Sequence, residues 1–349
     1  MKVSFVSSQA ISSALRYQTA RLQADLTNAT KEMSTLRVAD AGLALGARSS
    51  ISVSLYREIE RLDGITDSNE LAQARLKSTQ LGLQQLTDAA SDLLSNFSST
   101  LSGAGDASIA QQQAEKALAL MSSVLNTNVN GENIFAGINT DVRPFNDFLD
   151  PASPARVAFD TAFVSYFGFA PTDPAAAGIA AADMDTFLTT IVEPDILGDA
   201  GWQNWSSATG QTISSRITLT ETAQTSVTAN IAGFRKLAMA AATVAAIFTG
   251  DIGEGARKVV LEHSLKFLGE AVTDLANQQG YTGVTQQRLT QANERIATQI
   301  DLFKGSIQDL EGVDEFEAAS RVTSLKTQLE VSYSLTASLQ KLSLLNYLS

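Results

Sequence analysis

The residues able to do chemistry are few, and their spacing is poor for it. The chain of 349 residues has one histidine, His263, and no cysteine. Without cysteine there are no disulfides, thiolate metal ligands or thiol nucleophiles. One histidine leaves little material for triads, zinc sites or acid/base pairs. His263 lies in ARKVVLEHSLKFLGEAV near Glu262 and Lys266, the setting of an ordinary helix side chain. Gly250-Asp251-Ile252-Gly253-Glu254-Gly255 has the glycine density of a phosphate loop, but it follows an Ala/Val-rich helical stretch and lacks the Gly-Lys-Ser/Thr ending. It reads as an interhelical loop. Asp183-Met184-Asp185 offers carboxylates to a hard cation without the other oxygen ligands of a calcium loop. Asn28, Asn96 and Asn204 each begin an Asn-X-Ser/Thr triplet, the first two inside helical patterns. The expectation is a protein with no enzyme activity, no cofactor and no metal site. A hydrolase working through paired carboxylates in an acidic middle is the alternative from another class, and no such pair has a distinctive context.

Charge narrows the partners. The net charge of −12 argues against binding nucleic acid by phosphate neutralisation. Residues 139–230 carry eleven acids and three bases, whereas residues 1–37 carry five bases and two acids. The acidic middle is expected to be solvated and outermost. No stretch approaches the roughly 18 consecutive apolar residues of a membrane helix, so no membrane insertion is expected. Serines and a glutamine interrupt the apolar residues of MKVSFVSSQAISSALRYQ, which leaves no h-region for a cleaved signal.

The elements that would position any such residues fall into three zones. All six prolines lie between Pro144 and Pro194, and twelve of the 23 aromatics lie between Phe135 and Phe234. The proline-free flanks suit long helices, since an interior proline costs about 3 kcal/mol. Leu62, Ile65, Asn69, Ala72, Leu76, Thr79, Leu83, Leu86, Ala90, Leu93 and Phe97 alternate spacings of three and four, the pattern of one long helix with one buried stripe. Ile11, Leu15, Leu22, Leu26, Ala29, Met33 and Leu36 repeat similarly, with a polar turn at Gln18-Thr19 and a break at Ala39–Gly42. Toward the other end, Leu289, Ile296, Ile300, Phe303, Ile307 and Leu310 make one stripe. After a break at Glu311–Asp314, Val322, Leu325, Leu329, Leu335, Leu339, Leu342 and Leu345 make another. Helices are also expected over 107–126 and 254–278, the second followed by a hairpin turn at Gln279–Gly283. Asn130-Gly131 signals a tight β-turn, and Thr225–Phe234 a return strand.

The fold class expected is mainly α: a long antiparallel coiled-coil rod built from both chain ends, with a smaller β-rich inserted outer domain. Residues 1–40 and 315–349 form the terminal coiled coil, 41–140 and 226–314 the rod, and 141–225 the acidic insertion. Ordering a residue costs about 1–2 kcal/mol, and burying a leucine returns about 1.5–3 kcal/mol. In residues 315–349 only about one position in four or five is a seam leucine, so the terminal pair is expected to be disordered in the monomer and to fold as subunits stack. The expected intersubunit seam is Leu15, Leu22, Leu26, Met33, Leu36, Leu325, Leu329, Leu335, Leu339, Leu342 and Leu345.

Three stretches carry a resemblance. LRVADAGLALGARSS (Leu36–Ser50) resembles the joint between terminal and rod helices in the flagellin family of bacterial axial proteins, without the Pro-x-Asp-Asp run of many relatives. NTNVNGENIFAGINTDVRPF (Asn126–Phe145) resembles the N-x-NGxxLFxGxxTDxxPF stretch of that family's hook–filament junction proteins, with Ile134 in place of Leu. LEVSYSLTASLQKLSLLNYLS (Leu329–Ser349) resembles their LSLxxYL ending rather than the LSLxR of flagellins. The resemblance covers residues 1–145 and 225–349. It implies a structural protein of the bacterial flagellum, exported unfolded through the flagellar channel to an extracellular position with its N-terminal segment as the signal. It also implies a ring of copies of itself between an adjacent hook-associated protein and flagellin, with an export chaperone holding its C-terminal region. A minor flagellin is the alternative within the family.

Overall fold

The structure, a computed structural model, describes residues 8–348, with side chains from 10 to 338. In chain order, α1 is Ser8–Thr35, α2 Ala41–Leu45 and α3 Ser49–Leu101. The next elements are α4 at Ala107–Leu125, β1 at Asn128–Val129 and β2 at Glu132–Asn133. The insertion holds α5 (Pro154–Phe167), α6 (Ala181–Phe187), α7 (Glu193–Leu197), α8 (Asp199–Trp202), β3 (Ser214–Arg216) and β4 (Thr222–Gln224). Then come α9 (Ala232–Ile247), α10 (Glu254–Glu311) and α11 (Glu315–Leu348). The chain is mainly helical, with long helices from both ends and two small sheets in the middle region.

It divides into two compact units, residues 1–63 with 296–349, and residues 64–295. In the second unit the heptad stripe of α3 is buried as expected, from Asn69 and Ala72 through Leu76, Leu83 and Leu86 to Phe97. Antiparallel pairing with α10 is fixed by Asn69 Nδ2 donating to Asn293 Oδ1 at 2.7 Å and by Gln279 Nε2 donating to Thr87 Oγ1 at 2.7 Å. Helix α9 has thirteen of its sixteen residues buried, and such all-round apolarity belongs to a helix enclosed on every side.

The turn expected at Gln279–Gly283 is not there: α10 runs through it without a break. Leu261, Leu268, Leu275, Thr282 and Leu289 are all buried at seven-residue intervals. The packing seam therefore keeps its phase across Gly280 and Gly283, and it outweighs a helix penalty of about 1 kcal/mol per glycine.

The insertion expected to be β-rich contains small sheets, but most of its ordered residues lie in short helices. Its prolines explain this. Pro154 and Pro174 each occupy the first turn of a helical segment, where the missing N–H costs nothing and the fixed φ favours the helix, and Pro194 falls just after a π turn that interrupts the regular helical bonding. Aromatic packing closes the core: Phe148 stacks on Trp205 at 4.9 Å, and Trp205 on Trp202 at 5.8 Å. The expected return strand is reduced to a single bridge, Ala136 with Thr228, before α9 takes Phe234 into a helix. The β3–β4 hairpin places Ile217 and Ala223 against Ala72, Leu76, Leu289 and Ala292. Glu221 at its turn accepts from Arg288 at 2.8 Å and Arg295 at 3.1 Å.

Candidate assembly surface

The glycines of the Gly250–Gly255 stretch have a packing role. A Cβ on Gly250 would lie 2.0 Å from the carbonyl oxygen of Pro171, and one on Gly253 2.7 Å from that of Ala177. These glycines thus let two loops approach closely. Asp183 and Asp185 face solvent on either side of buried Met184. Among the described residues no three His, Asp or Glu side chains are grouped as metal ligands.

The terminal seam is the more informative surface. Within the first unit α1 and α11 run antiparallel. Thr19 Oγ1 and Ser332 Oγ share a hydrogen bond at 2.9 Å, and Arg321 donates to Glu32 at 2.9 Å. The α11 seam follows Ala318, Val322, Leu325, Leu329, Ser332 and Thr336, all buried or partly buried at spacings of three and four. Leu335 belongs elsewhere. Six residues past Leu329 on a 3.6-residue turn it points away from α1, and it is 50% exposed. Ser332 takes its expected place, meeting the polar turn of α1 at Thr19. Leu15, Leu22, Leu26, Leu325 and Leu329 are partly buried, and Met33 and Leu36 are each 38% exposed. The side chains of Leu339, Leu342 and Leu345 lie outside the described residues.

The joint holds four residues that the periodicity gave no reason to choose. Arg37 forms an antiparallel bridge with Gly312. Val38 N–H donates to Glu311 O at 2.8 Å, and Val313 N–H to Leu36 O at 3.0 Å. Leu36 sits at φ +54°, a left-handed conformation that costs a leucine roughly 1–2 kcal/mol. The bridge holds it there. Glu311 is buried, with its carboxylate accepting from the Ser52 hydroxyl and from Tyr56 Oη at 2.8 Å. Arg37 donates to Tyr56 Oη at 2.5 Å and lies over its ring. Burial, then the bond to Glu311, pushes the Tyr56 hydroxyl above its ordinary pKa. The one signal in the sequence was a glutamate at the last helical position before Gly312, where a carboxylate opposes the helix dipole and needs compensating donors.

Several large apolar side chains of this unit are exposed. Leu43 and Phe316 are 88% and 85% exposed, and Ile51, Val53, Leu302, Val331 and Tyr333 are exposed as well.

In the second unit, the stretch Asn126–Phe145 closes on itself. Asn126 Nδ2 donates to Phe145 O at 2.9 Å while its Oδ1 accepts from Phe145 N–H at 3.0 Å. Asn130 and Gly131 have φ +54° and +89°, the two left-handed positions of a type I′ hairpin turn. Val129 pairs with Glu132 across it. Ile134, Phe135 and Phe145 are buried, with Phe135 edge-on to Phe234 at 5.8 Å.

No curated protein shows significant similarity to the chain. Two family models match it: the bacterial flagellin N-terminal helical region over residues 6–140, and the bacterial flagellin C-terminal helical region over residues 265–348. The family's role is structural, its members being exported to the flagellum and polymerising there. No helix among the described residues is long and apolar enough to cross a membrane. With helices matching both the N-terminal and the C-terminal helical regions of that family, the chain belongs to the flagellin family.

Proposed function

We propose that this flagellar structural protein is a junction adaptor of the hook-associated protein 3 type, forming a layer between an adjacent hook-associated protein and the flagellin filament. The observation that carries the reading is the Asn126–Phe145 stretch. Its junction-type residues are the ones that build the Asn126–Phe145 clasp and the Asn130-Gly131 turn. The LSLLNYL motif at Leu342–Leu348 supports the same branch. On this reading the intersubunit seam uses Leu15, Leu22, Leu26, Met33, Leu36, Leu325, Leu329, Leu335, Leu339, Leu342 and Leu345, and its partners are flagellin, the adjacent hook-associated protein, copies of itself in a ring and an export chaperone. Head-to-tail surfaces of this kind can present one partner above and another below. Residues 1–40 and 315–349 order only as copies stack.

Deleting the protein from its cells tests this directly. Hooks and flagellin should still be made, with unpolymerised flagellin released into the medium, and the purified protein alone should give few long filaments. Normal filaments in its absence, or long filaments of it alone, would assign it instead as a minor flagellin.

A further inference from the structure

The single histidine of the chain is placed where a proton would be awkward. His263 lies on α10 with its side chain only 8% exposed, and its Nε2 stands 3.6 Å from Oε2 of Glu193 without a hydrogen-bond partner. Its ring leans on Phe267, with centroids 4.9 Å apart. Glu193 begins α7 directly after one turn of π-helix at Leu188–Val192, and its N–H reaches back to Leu188 O. A π turn is rare inside a helix and is frequent at functional sites, and this one directly precedes the glutamate that faces His263. The other charged groups acting on the imidazole are Asp185 of α6 and Lys266 of α10.

We propose that the buried, neutral His263 is an acid-sensitive latch, which holds the α6–α7 segment on α10 at neutral pH and loosens it in a mildly acidic medium, with Glu193 opposing the release in part. Closed, the latch keeps a neutral imidazole largely out of water against Phe267. A proton there places a cation out of water, and Glu193, one-third exposed and beyond hydrogen-bond reach, compensates only in part. Burial therefore pushes the His263 pKa down, Glu193 and Asp185 pull it back up, Lys266 pushes it down again, and the result lies below the ordinary value.

The sign follows from linkage. Opened to water, the ring takes its proton at about pH 6.5, whereas the closed form refuses it until lower pH. Closure is thus complete above that value, weakens as pH falls below it, and levels off once the closed form is also protonated. Between the two pKa values the opening equilibrium gains up to about tenfold per pH unit for one proton.

The full-length protein allows a clean test, because a single histidine gives one C2 proton resonance. Its titration midpoint should lie below 6.5. Amide exchange over residues 181–197, expressed as protection factors, should fall between pH 7 and pH 5 by up to about tenfold per unit. Glu193→Gln should move the midpoint lower still, and His263→Gln should abolish the pH dependence. A midpoint at or above 6.5, or the same acid loss of protection in His263→Gln, overturns the latch. If His263→Gln does not fold, Glu193→Gln decides: a lower midpoint supports the latch, and an unchanged or higher one rejects it.

Discussion

The two compact units of this chain use one helical pattern to opposite ends. In residues 64–295 the heptad stripe of α3 is covered completely, by α4, α9, α10 and the aromatics of the insertion, and Leu83, Leu86, Ala90 and Phe97 see no solvent. In the unit formed by residues 1–63 and 296–349, the same spacing leaves Leu15, Leu22, Leu26, Leu325 and Leu329 only partly buried and Phe316 almost bare. Periodicity alone therefore says that a helix has an apolar face. Whether that face is satisfied within the chain depends on how many elements surround it, and a two-helix ribbon covers each leucine from one side only. On the proposed reading, the partly covered leucines of the first unit are completed by neighbouring copies.

The largest effect should come from opening the enclosed core. Trp205→Ala removes a buried ring stacked on both Phe148 and Trp202 and should lower the unfolding free energy by about 3–5 kcal/mol in denaturant titration. Leu335→Asp should do the reverse. Half-exposed and off the α1 seam, it should change the stability of the isolated chain by no more than about 0.5 kcal/mol and yet block incorporation into flagella, where an unpaired buried carboxylate costs several kcal/mol per subunit. Normal incorporation of Leu335→Asp would break the comparison. In a sample verified to be monomeric, amides over residues 10–35 and 315–338 should also exchange far faster than those of α9; equal protection of both regions would show that the terminal pair needs no neighbours.

What the sequence made legible was whatever repeats or is local. The stripe of α3 could be read because eleven positions obey one period, and the β1–β2 turn because Asn-Gly sets its own backbone angles. The uninterrupted course of α10 was hidden because Gly280 and Gly283 are local breakers, while the seam through Leu275, Thr282 and Leu289 that overrides them depends on tertiary neighbours. Leu335 was read into the stripe of Leu325 and Leu329 because leucine is the expected apolar residue, whereas the intrachain contact with Thr19 is made by Ser332, which leaves Leu335 exposed on another face of α11. The Glu311 cluster joins Arg37, Ser52 and Tyr56, and the latch joins residues seventy apart. Contacts at such separations leave no periodic trace.

A smaller substitution tests how tightly the enclosed unit is filled. A Cβ on Gly82 would stand 2.8 Å from Cγ1 of Val124 and 3.2 Å from Cζ of Phe135. Gly82→Ala should therefore lose about 1–3 kcal/mol to overpacking, offset by about 1 kcal/mol of helix propensity. A lower melting temperature is expected. A higher one would mean that the Val124 and Phe135 side chains yield, and that the core is looser than its burial implies.

The subtlest test concerns the joint of the open unit. Tyr56 is held neutral by burial and by donating to Glu311, with Arg37 acting weakly in the opposite sense. A raised folded-state pKa means that the contribution of Tyr56 is fully present below about pH 10, where the unfolded side chain ionises. That contribution is lost as pH climbs through the higher folded value, because the unfolded state then releases a proton the folded state keeps. Alkaline titration followed by tyrosine absorbance should show one residue ionising late, and Tyr56→Phe should remove that late component. The variant should also lose about 1–3 kcal/mol at neutral pH, since the buried Glu311 carboxylate keeps its bond from Ser52 but loses the one from Tyr56. If Tyr56→Phe instead releases α11 at neutral pH, the Tyr56–Glu311 bond itself holds the joint, and the first unit is closed by its own polar contacts to a greater degree than its exposed leucines indicate.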